Sequence, residues 1–430
     1  MTDISYSMHE RIALLDTLRG IAVLGIFFVN VIYFGQPYSA YNFPTMWGEA
    51  EQLNTFVWAF SNLWVEDSMR ALFIMLFGAS TALLLSEKRL HLGGVLGVER
   101  FFRRNLILMI IGAVHALLLL APHDVLFVYG LLAILAFPLH RLRPLLLLLL
   151  GLLMFFTGTL IRSEGAPSAA SNSEVPLYQK RASSQEISAF RHGMIQEMQE
   201  DVGIYGSGYG EIFDTQKKAA IETQSIDIYQ EQGFLLGGLL LIGMVMLKWG
   251  ILSGRRSRRF YLLLMLAGYS LAQLLRFGPL VDVLESDFDP FVTLNQHTLA
   301  REFSQLPLAL GHIGLLALLS SFATTRRFLR PFAAVGRMAL THYIGQTIFS
   351  ILFFFGFGLA MFGNFERYEL LLVCLAVGLA QILFSLWWLK RFRHGPLEWL
   401  WRASTRWELI PFRMRPKANF LAPSSEQANA

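Results

Sequence analysis

Apolar residues along this chain do not alternate with polar ones; they gather in long runs parted by short basic stretches. An α-helix rises 1.5 Å per residue, so about 20 mostly apolar residues cross the hydrocarbon of a bilayer. In lipid each backbone N–H and C=O must be satisfied within its own segment, which makes such runs helices and excludes open strands. Ten segments fit: residues 12–34, 68–85, 105–121, 125–139, 145–161, 234–249, 260–277, 303–322, 338–362 and 370–389. A shorter apolar stretch, 55–65, reads as an interfacial or re-entrant helix leading into the second span. The fold class is therefore all-α, a polytopic transmembrane helix bundle of about ten spans.

Composition agrees with this reading. Apolar residues make up 54% of the chain and charged ones 16%, against about 25% charged in soluble domains. Lys and Arg fall on alternate connections. One set, from Lys88 and Arg89 through Arg255–Arg259 to the tail, holds 24, and the opposite set holds seven, six of them in one long loop. Short basic connections stay in the cytoplasm, so both termini are expected there. The net charge of +5 is topogenic, which makes the lipid bilayer the partner and gives no case for nucleic acid. The first run contains Asp16 and Arg19 and lacks a small-residue cleavage site, so it reads as a retained span and not a leader. The single cysteine, Cys374, lies in an apolar run and supports no disulfide framework.

These features divide the chain into residues 1–161 with five spans, an outer loop 162–232, residues 233–394 with five more, and a cytoplasmic collar and tail 395–430. In the outer loop, a Ser/Ala/Pro-rich linker precedes Ser183-Ser184-Gln185-Glu186, a capping-box pattern. Ile187, Phe190, Met194 and Met198 then recur at helical spacing. That helix either lies on the membrane surface or covers an outward-facing cavity. The YGSGYG at 205–210 is a turn without the Lys-Ser/Thr of a phosphate loop.

Polar residues within spans are expensive and so carry the functional signal. Asp16, Arg19 and Asn30 share one face of the first helix: Arg19 lies about 60° from Asp16, and Asn30 about 20° from Arg19 and roughly 16 Å further along the axis. Glu66 and Arg70 are spaced as an i,i+4 pair beside Asp67 at the start of the second span. His115, late in the third span, is followed across a short turn by Asp124. A His beside a carboxylate can act as a general base, the acid fixing its tautomer; the same pair can also simply staple a hairpin. His342 and Gln346 share a face of the ninth span, suited to a polar site or to an interhelical hydrogen bond. At the cytoplasmic ends, Arg103, Arg104 and Arg337, with Arg391, Arg393 and Arg402 of the collar, offer guanidinium groups suited to phosphate. Trp399 and Trp401 suit the headgroup layer. No metal-ligand spacing, dinucleotide fingerprint or nucleophile elbow is present.

Three stretches carry a family resemblance: LDTLRGIAVLGIFFVN at 15–30, HALLLLAPHDVLFVYG at 115–130 and FAAVGRMALTHYIGQTIF at 332–349. They resemble the YeiB-like family of bacterial polytopic membrane proteins, in which a His precedes a turn containing Asp and then a helix containing Tyr. His115, Asp124 and Tyr129 match that order. The first motif is more distantly similar to heparan glucosaminide N-acetyltransferase-like membrane acyltransferases, through Phe28-Val29-Asn30. That second likeness implies transfer of an acyl group from cytosolic acyl-CoA to an acceptor across the membrane; if such transfer occurs, His115 is the replacement base, with Asp124 and Asn30 as the other expected catalytic residues. Asp16, Arg19, Glu66, Arg70, Tyr129, His342 and Gln346 would then meet the substrate, and Arg103, Arg104 and Arg337 the donor. The segment in which that family places its catalytic His contains none here; Glu49, Glu51, Glu66 and Asp67 stand there instead. The resemblance implies a bacterial cytoplasmic (inner) membrane location, with acyl-CoA as co-substrate and no permanently bound cofactor. A transporter or permease for a small polar solute, a non-catalytic membrane protein, and assembly as a homo-oligomer all stay open.

Overall fold

On the last long helix Leu372, Leu375, Leu379 and Leu383 stand outward, while Cys374, Gln381 and Ser385 are buried. That inside-out pattern, apolar toward the surroundings and polar toward the bundle, is what a lipid-exposed helix requires. The computed structural model describes residues 13–164, 184–228, 232–290 and 292–414. Apart from one isolated bridge between Phe392 and Arg413, these residues contain no strand.

In chain order the helices are α1 Ala13–Gly35, α2 Glu51–Trp64, α3 Ser68–Leu84, α4 Glu87–Leu118, α5 Leu126–Leu135, α6 Pro144–Glu164, α7 Ser184–Tyr205, α8 Tyr209–Asp227, α9 Gly233–Lys248, α10 Arg258–Glu285, α11 Thr298–Ser320, α12 Ala323–Gly336, α13 Ala339–Phe354, α14 Arg367–Trp388 and α15 Pro396–Arg406. Each of the ten expected runs falls on a helix. Among the described residues seven helical stretches are long and apolar enough to cross a membrane, and α5, α9 and α13 are shorter apolar helices. The chain is thus a polytopic helix bundle. The ninth run ends early: α13 stops at Phe354, and Gly356–Gly358 turn the chain back toward α14.

Other segments depart from the sequence reading. The 55–65 stretch belongs to α2, and α2 with α3 forms one 34-residue apolar stretch, Glu51–Leu84, broken at 65–67. The basic run with Arg326, Arg327 and Arg330 is no loop but α12, packed along α1. Gly20 and Gly336 permit that crossing: a Cβ on Gly20 would lie 2.0 Å from the Phe332 carbonyl oxygen, and one on Gly336 1.8 Å from that of Asp16. Small residues at such crossings let backbones touch, which is how helices associate without a hydrophobic drive between them. Around α1 sit α3, α11, α12, α13 and α14.

The amphipathic face of α7 rests on protein. Met194 and Met198 are buried with Phe43, Trp58, Phe288 and Val292, and Phe190 packs against them. Ile187 stays outside that cluster. Arg191 Nη2 reaches Asp287 Oδ2 at 2.8 Å, and Ser39 Oγ donates to Glu197 Oε2 at 2.8 Å. Ser183 of the expected capping box and the 168–173 linker lie outside the described residues.

Candidate functional site

The hairpin of α4 and α5 builds the first cluster. Gly112 lets the helices close: a Cβ there would lie 2.3 Å from Phe127 N and 2.7 Å from Asp124 Oδ2. Asp124 can therefore tuck against α4 one turn below His115, where its Oδ2 accepts the Phe127 amide at 3.1 Å. His115 Nδ1 lies 2.8 Å from Asp124 Oδ1, and His115 Nε2 lies 2.9 Å from Thr347 Oγ1 on α13. The carboxylate only accepts, so the network assigns the ring proton to Nδ1 and leaves Nε2 as the acceptor of the Thr347 hydroxyl. His115 is 1% exposed and Asp124 2%, and the Tyr343 ring stands 5.1 Å from the imidazole. Helix α8 covers the turn: Gln224 Nε2 donates to the Asp124 carbonyl at 3.1 Å and Tyr209 OH to that of Leu118 at 2.9 Å.

The break between α2 and α3 builds the second. Asp67 has φ 60 and ψ −34, and Ser68 N closes on the Glu66 carbonyl at 2.6 Å. This is the rare left-handed form of a three-residue γ-turn, strained for a residue with a Cβ. The turn aims neighbouring carboxylates differently. Glu66 Oε1 accepts Tyr41 OH and pairs with Arg301 Nη1 of α11. Asp67 Oδ1 pairs with Arg70 Nη2 at 3.2 Å, and its Oδ2 stands 3.5 Å from Arg301 Nε. The expected Glu66–Arg70 pair is thus replaced by Asp67–Arg70, because the γ-turn takes Glu66 out of helical register with α3. Arg276 of α10 donates to the carbonyls of Asn62 and Glu66 and to Ser304 Oγ. Arg162 Nε pairs with Glu302 at 3.1 Å, and Arg367 Nη2 donates to the carbonyls of Ala40 and Tyr41, both at 2.7 Å.

Sequence reading missed Arg276, Arg301, Glu302 and Thr347. Arg276 in an otherwise apolar run was a usable signal, since a guanidinium there needs buried partners. Arg301 and Glu302 precede the eighth run and read as its edge.

Tyr129 lies between the two clusters, fully buried, within electrostatic reach of both Arg70 and Asp124, with no hydrogen-bond partner for its hydroxyl. The other expected site residues are placed apart. Asp16 pairs with Arg19 at 3.3 Å, and Arg19 Nη2 also donates to Ser80 Oγ at 3.0 Å, tying α1 to α3. His342 Nε2 meets Ser385 Oγ at 2.6 Å, and Gln346 Nε2 donates to Gln381 Oε1 at 3.0 Å, a ladder joining α13 to α14. Asn30 is half-buried, and the two imidazole nitrogens of His115 meet Asp124 and Thr347.

The basic residues gather where α15 folds back. The Arg104 guanidinium stacks 4.1 Å over the Trp401 ring, and Trp401 Nε1 donates to the Arg104 carbonyl at 2.8 Å. Arg103 pairs with Glu99 and reaches the Thr405 carbonyl at 3.3 Å. Arg337 Nη2 reaches the Arg393 carbonyl at 3.5 Å. Glu398 of α15 accepts from Leu340 N at 2.7 Å and Thr341 Oγ1 at 2.6 Å, capping α13. The collar is thus clamped onto the bundle.

Residues 246–408 match the family described as a protein of unknown function, DUF418. The chain is 29% identical over 412 residues to the uncharacterized protein YeiB of Escherichia coli, covering 92% of this chain and 96% of that one. It is 25% identical over 426 residues to the uncharacterized protein YxaH of Bacillus subtilis, covering 95% and 98%. No solved structure matches. The matched segment supplies Arg276, Arg301 and Thr347; Glu66, His115 and Asp124 come from the chain before it. With likeness along nearly its full length to YeiB and YxaH and the DUF418 match over residues 246–408, the chain is similar to the YeiB-like membrane proteins.

Proposed function

We propose that this protein is a membrane acyltransferase, taking an acyl group from a cytosolic acyl-CoA and passing it to an acceptor on the outer side of a bacterial cytoplasmic membrane. The observation that carries the reading is the buried His115, oriented by Asp124, with its accepting nitrogen held against a hydroxyl. This is the base–orienter arrangement that general-base catalysis needs. Thr347 Oγ1 marks the place where an acceptor O–H or N–H would sit. The acceptor attacks the thioester carbonyl carbon and gives its proton to His115 Nε2. The C–S bond breaks, and the proton passes on to the CoA thiolate. Arg104 lies on the same face of α4 as His115, about 20° away and about 16 Å along the axis. A donor phosphate at the Arg104 end, with Arg103 and Arg337 as further candidate donors, and a thioester near His115 fit the long extended arm of CoA.

The test uses purified protein in proteoliposomes with acetyl-CoA as probe, following thiol release beside thermal stability. His115→Ala should lower release 100-fold or more, in keeping with the 10²–10⁴-fold contribution of a positioned base, and Asp124→Asn should slow it strongly. A His115→Ala variant that keeps full turnover, or wild-type protein that releases no thiol with any amine or alcohol acceptor, ends the assignment. A second reading, a permease for a small polar solute, is supported by the broken α2–α3 helix, because irregular backbone at membrane depth belongs where it lines a path. Solute uptake by the same proteoliposomes without acyl-CoA distinguishes it.

A further inference from the structure

After α14 the chain folds into a closed loop. Arg393 N donates to the Phe412 carbonyl at 3.1 Å and Met414 N to that of Arg391 at 3.0 Å, so residues 391–393 pair with 412–414. Inside the loop Phe392 stacks on Trp388 with ring centroids 4.2 Å apart, and Phe412 lies 4.7 Å from Phe392 and 5.0 Å from Trp399. The tryptophans that the sequence offers to the headgroup layer are thus spent on the protein: Trp399 Nε1 donates to the Ile410 carbonyl at 2.9 Å, and Trp401 lies under Arg104. Other apolar groups stand out instead. Trp407, in the left-handed region at φ 56, ends α15, and it and Leu409 are 78% and 87% exposed. The charge around them is one-sided. Lys390, Arg391, Arg393, Arg406 and Arg413 are exposed, and among the described residues no carboxylate pairs with them. Glu398 is committed to capping α13, which leaves Glu408 as the loop's other carboxylate. Large exposed apolar side chains among unneutralised cations mark a segment of the membrane interface, where anionic headgroups supply the counter-charge. The loop also continues a lipid-facing surface. Leu379, Leu383 and Trp387 stand outward on α14 at helical spacing, and the Arg391 guanidinium lies 4.8 Å over the Trp387 ring. An outward tryptophan at the end of a span sits at headgroup level, which puts the guanidinium stacked on it among the phosphates.

We propose that the loop from Trp387 to Met414 docks on anionic phospholipid headgroups of the leaflet in which α14 ends. Arg391, Arg393, Arg406 and Arg413 meet the phosphates, and Trp407 and Leu409 enter the boundary between headgroups and acyl chains. The loop is clamped to α4 through Trp401 and Arg104 and to α13 through Glu398, so lipid held there is read in the stability of the bundle. The inference is independent of whether the chain transfers an acyl group or carries a solute.

The experiment places the full-length protein in phosphatidylcholine nanodiscs with increasing phosphatidylglycerol. Thermal unfolding is followed directly, and Leu409→Cys in a Cys374→Ala background carries an environment-sensitive fluorophore. As phosphatidylglycerol is added, the unfolding temperature should rise saturably, and the fluorophore should be quenched by spin-labelled lipid and shielded from aqueous iodide. Each cation close to an anionic surface contributes a factor of about five. The variant Arg391→Gln/Arg393→Gln/Arg406→Gln/Arg413→Gln should therefore bind phosphatidylglycerol at least ten-fold more weakly in apparent affinity. Should that variant fold poorly, Trp407→Ser/Leu409→Ser keeps every cation and should still reduce the rise. A fluorophore equally open to iodide with and without phosphatidylglycerol overturns the proposal, as do identical titrations in wild type and both variants. The same rise produced by inorganic phosphate in phosphatidylcholine alone also overturns it, since the loop would then take free phosphate and not lipid.

Discussion

Replacing Arg301 by Met tests the ion cluster where it is most deeply buried. Glu66 is 3% exposed and Arg301 9%. The methionine fills the aliphatic volume but leaves Glu66 with only Tyr41 OH, and Asp67 with only Arg70, as direct side-chain partners. Breaking a buried pair from one side costs about 3–5 kcal/mol, because the remaining charge is stranded. The two surviving donors place this case near the lower bound, about 3 kcal/mol. Glu66→Gln alone keeps an acceptor for Tyr41 but strands Arg301 against Asp67 only, so it should cost less. The double variant Glu66→Gln/Arg301→Met removes both stranded charges and should be milder than Arg301→Met, with a coupling energy of about 1–3 kcal/mol. Arg301→Lys keeps the charge but loses the fork that serves Glu66 and Asp67 together, and should fall between. Denaturant titration in mixed micelles reads these values through tryptophan fluorescence. Trp58 and Trp64 lie on α2, beside the break. If the single costs add to the double within about 0.5 kcal/mol, the pair is uncoupled and the account of this cluster fails.

At the α1–α12 crossing, Gly336→Ala should destabilise by at least about 1–3 kcal/mol through overpacking, since its Cβ would lie 1.8 Å from the Asp16 carbonyl oxygen; Gly345→Ala, with nothing within 4 Å, should be neutral or better, and equal detergent-extracted yields of the two would contradict the packing. Glu366, at the N-terminus of α14, is subject to desolvation, but the amides of Glu49 and Ala50 and the Asn54 side chain outweigh it and hold its carboxyl below the usual range. A depressed carboxyl stabilises fully above its unfolded value and loses that contribution as pH falls through the folded one, so hydrogen exchange of the 44–54 segment should rise below about pH 4, and Glu366→Gln should flatten that acid limb. For orientation, an impermeant thiol reagent applied from outside should modify Ser171→Cys in a Cys374→Ala background and spare Ser404→Cys; the reverse pattern would invert the charge-based topology.

The apolar segments were legible because lipid imposes one rule on every spanning residue, and ten expected runs fall on helices. What escaped was set by distance along the chain. His115 and Asp124 are nine residues apart across one turn, so their meeting follows from local geometry. The Thr347 partner of His115 is 232 residues away, and the Arg301 partner of Glu66 is 235 away; no local pattern marks either. α12 was hidden for another reason: Arg326, Arg327 and Arg330 satisfied the topology rule so well that their helical spacing beside the small-residue end Ala333-Ala334-Val335-Gly336 went unused. Glu66–Arg70 failed because an i,i+4 argument assumes continuous helix, and the γ-turn at Asp67 interrupts it.

That interruption bears on how the two clusters relate. A straight helix through Glu51–Leu84 would hold Glu66 and Arg70 one turn apart on a single face and let them neutralise each other. The γ-turn sends Glu66 to Arg301 and Tyr41 and leaves Arg70 with Asp67 as its ion-pair partner, its Nε without a hydrogen bond. Strain of about 1–3 kcal/mol persists in a fold only where the surroundings over-determine it; here it is held by Arg276 on the Asn62 and Glu66 carbonyls and by His312 Nε2, 3.0 Å from the Trp64 carbonyl. The broken helix therefore ties α2 to α10 and α11 through Arg276 and Arg301, and leaves Arg70 within electrostatic reach of Tyr129, which is itself within reach of Asp124 and so joins the two clusters.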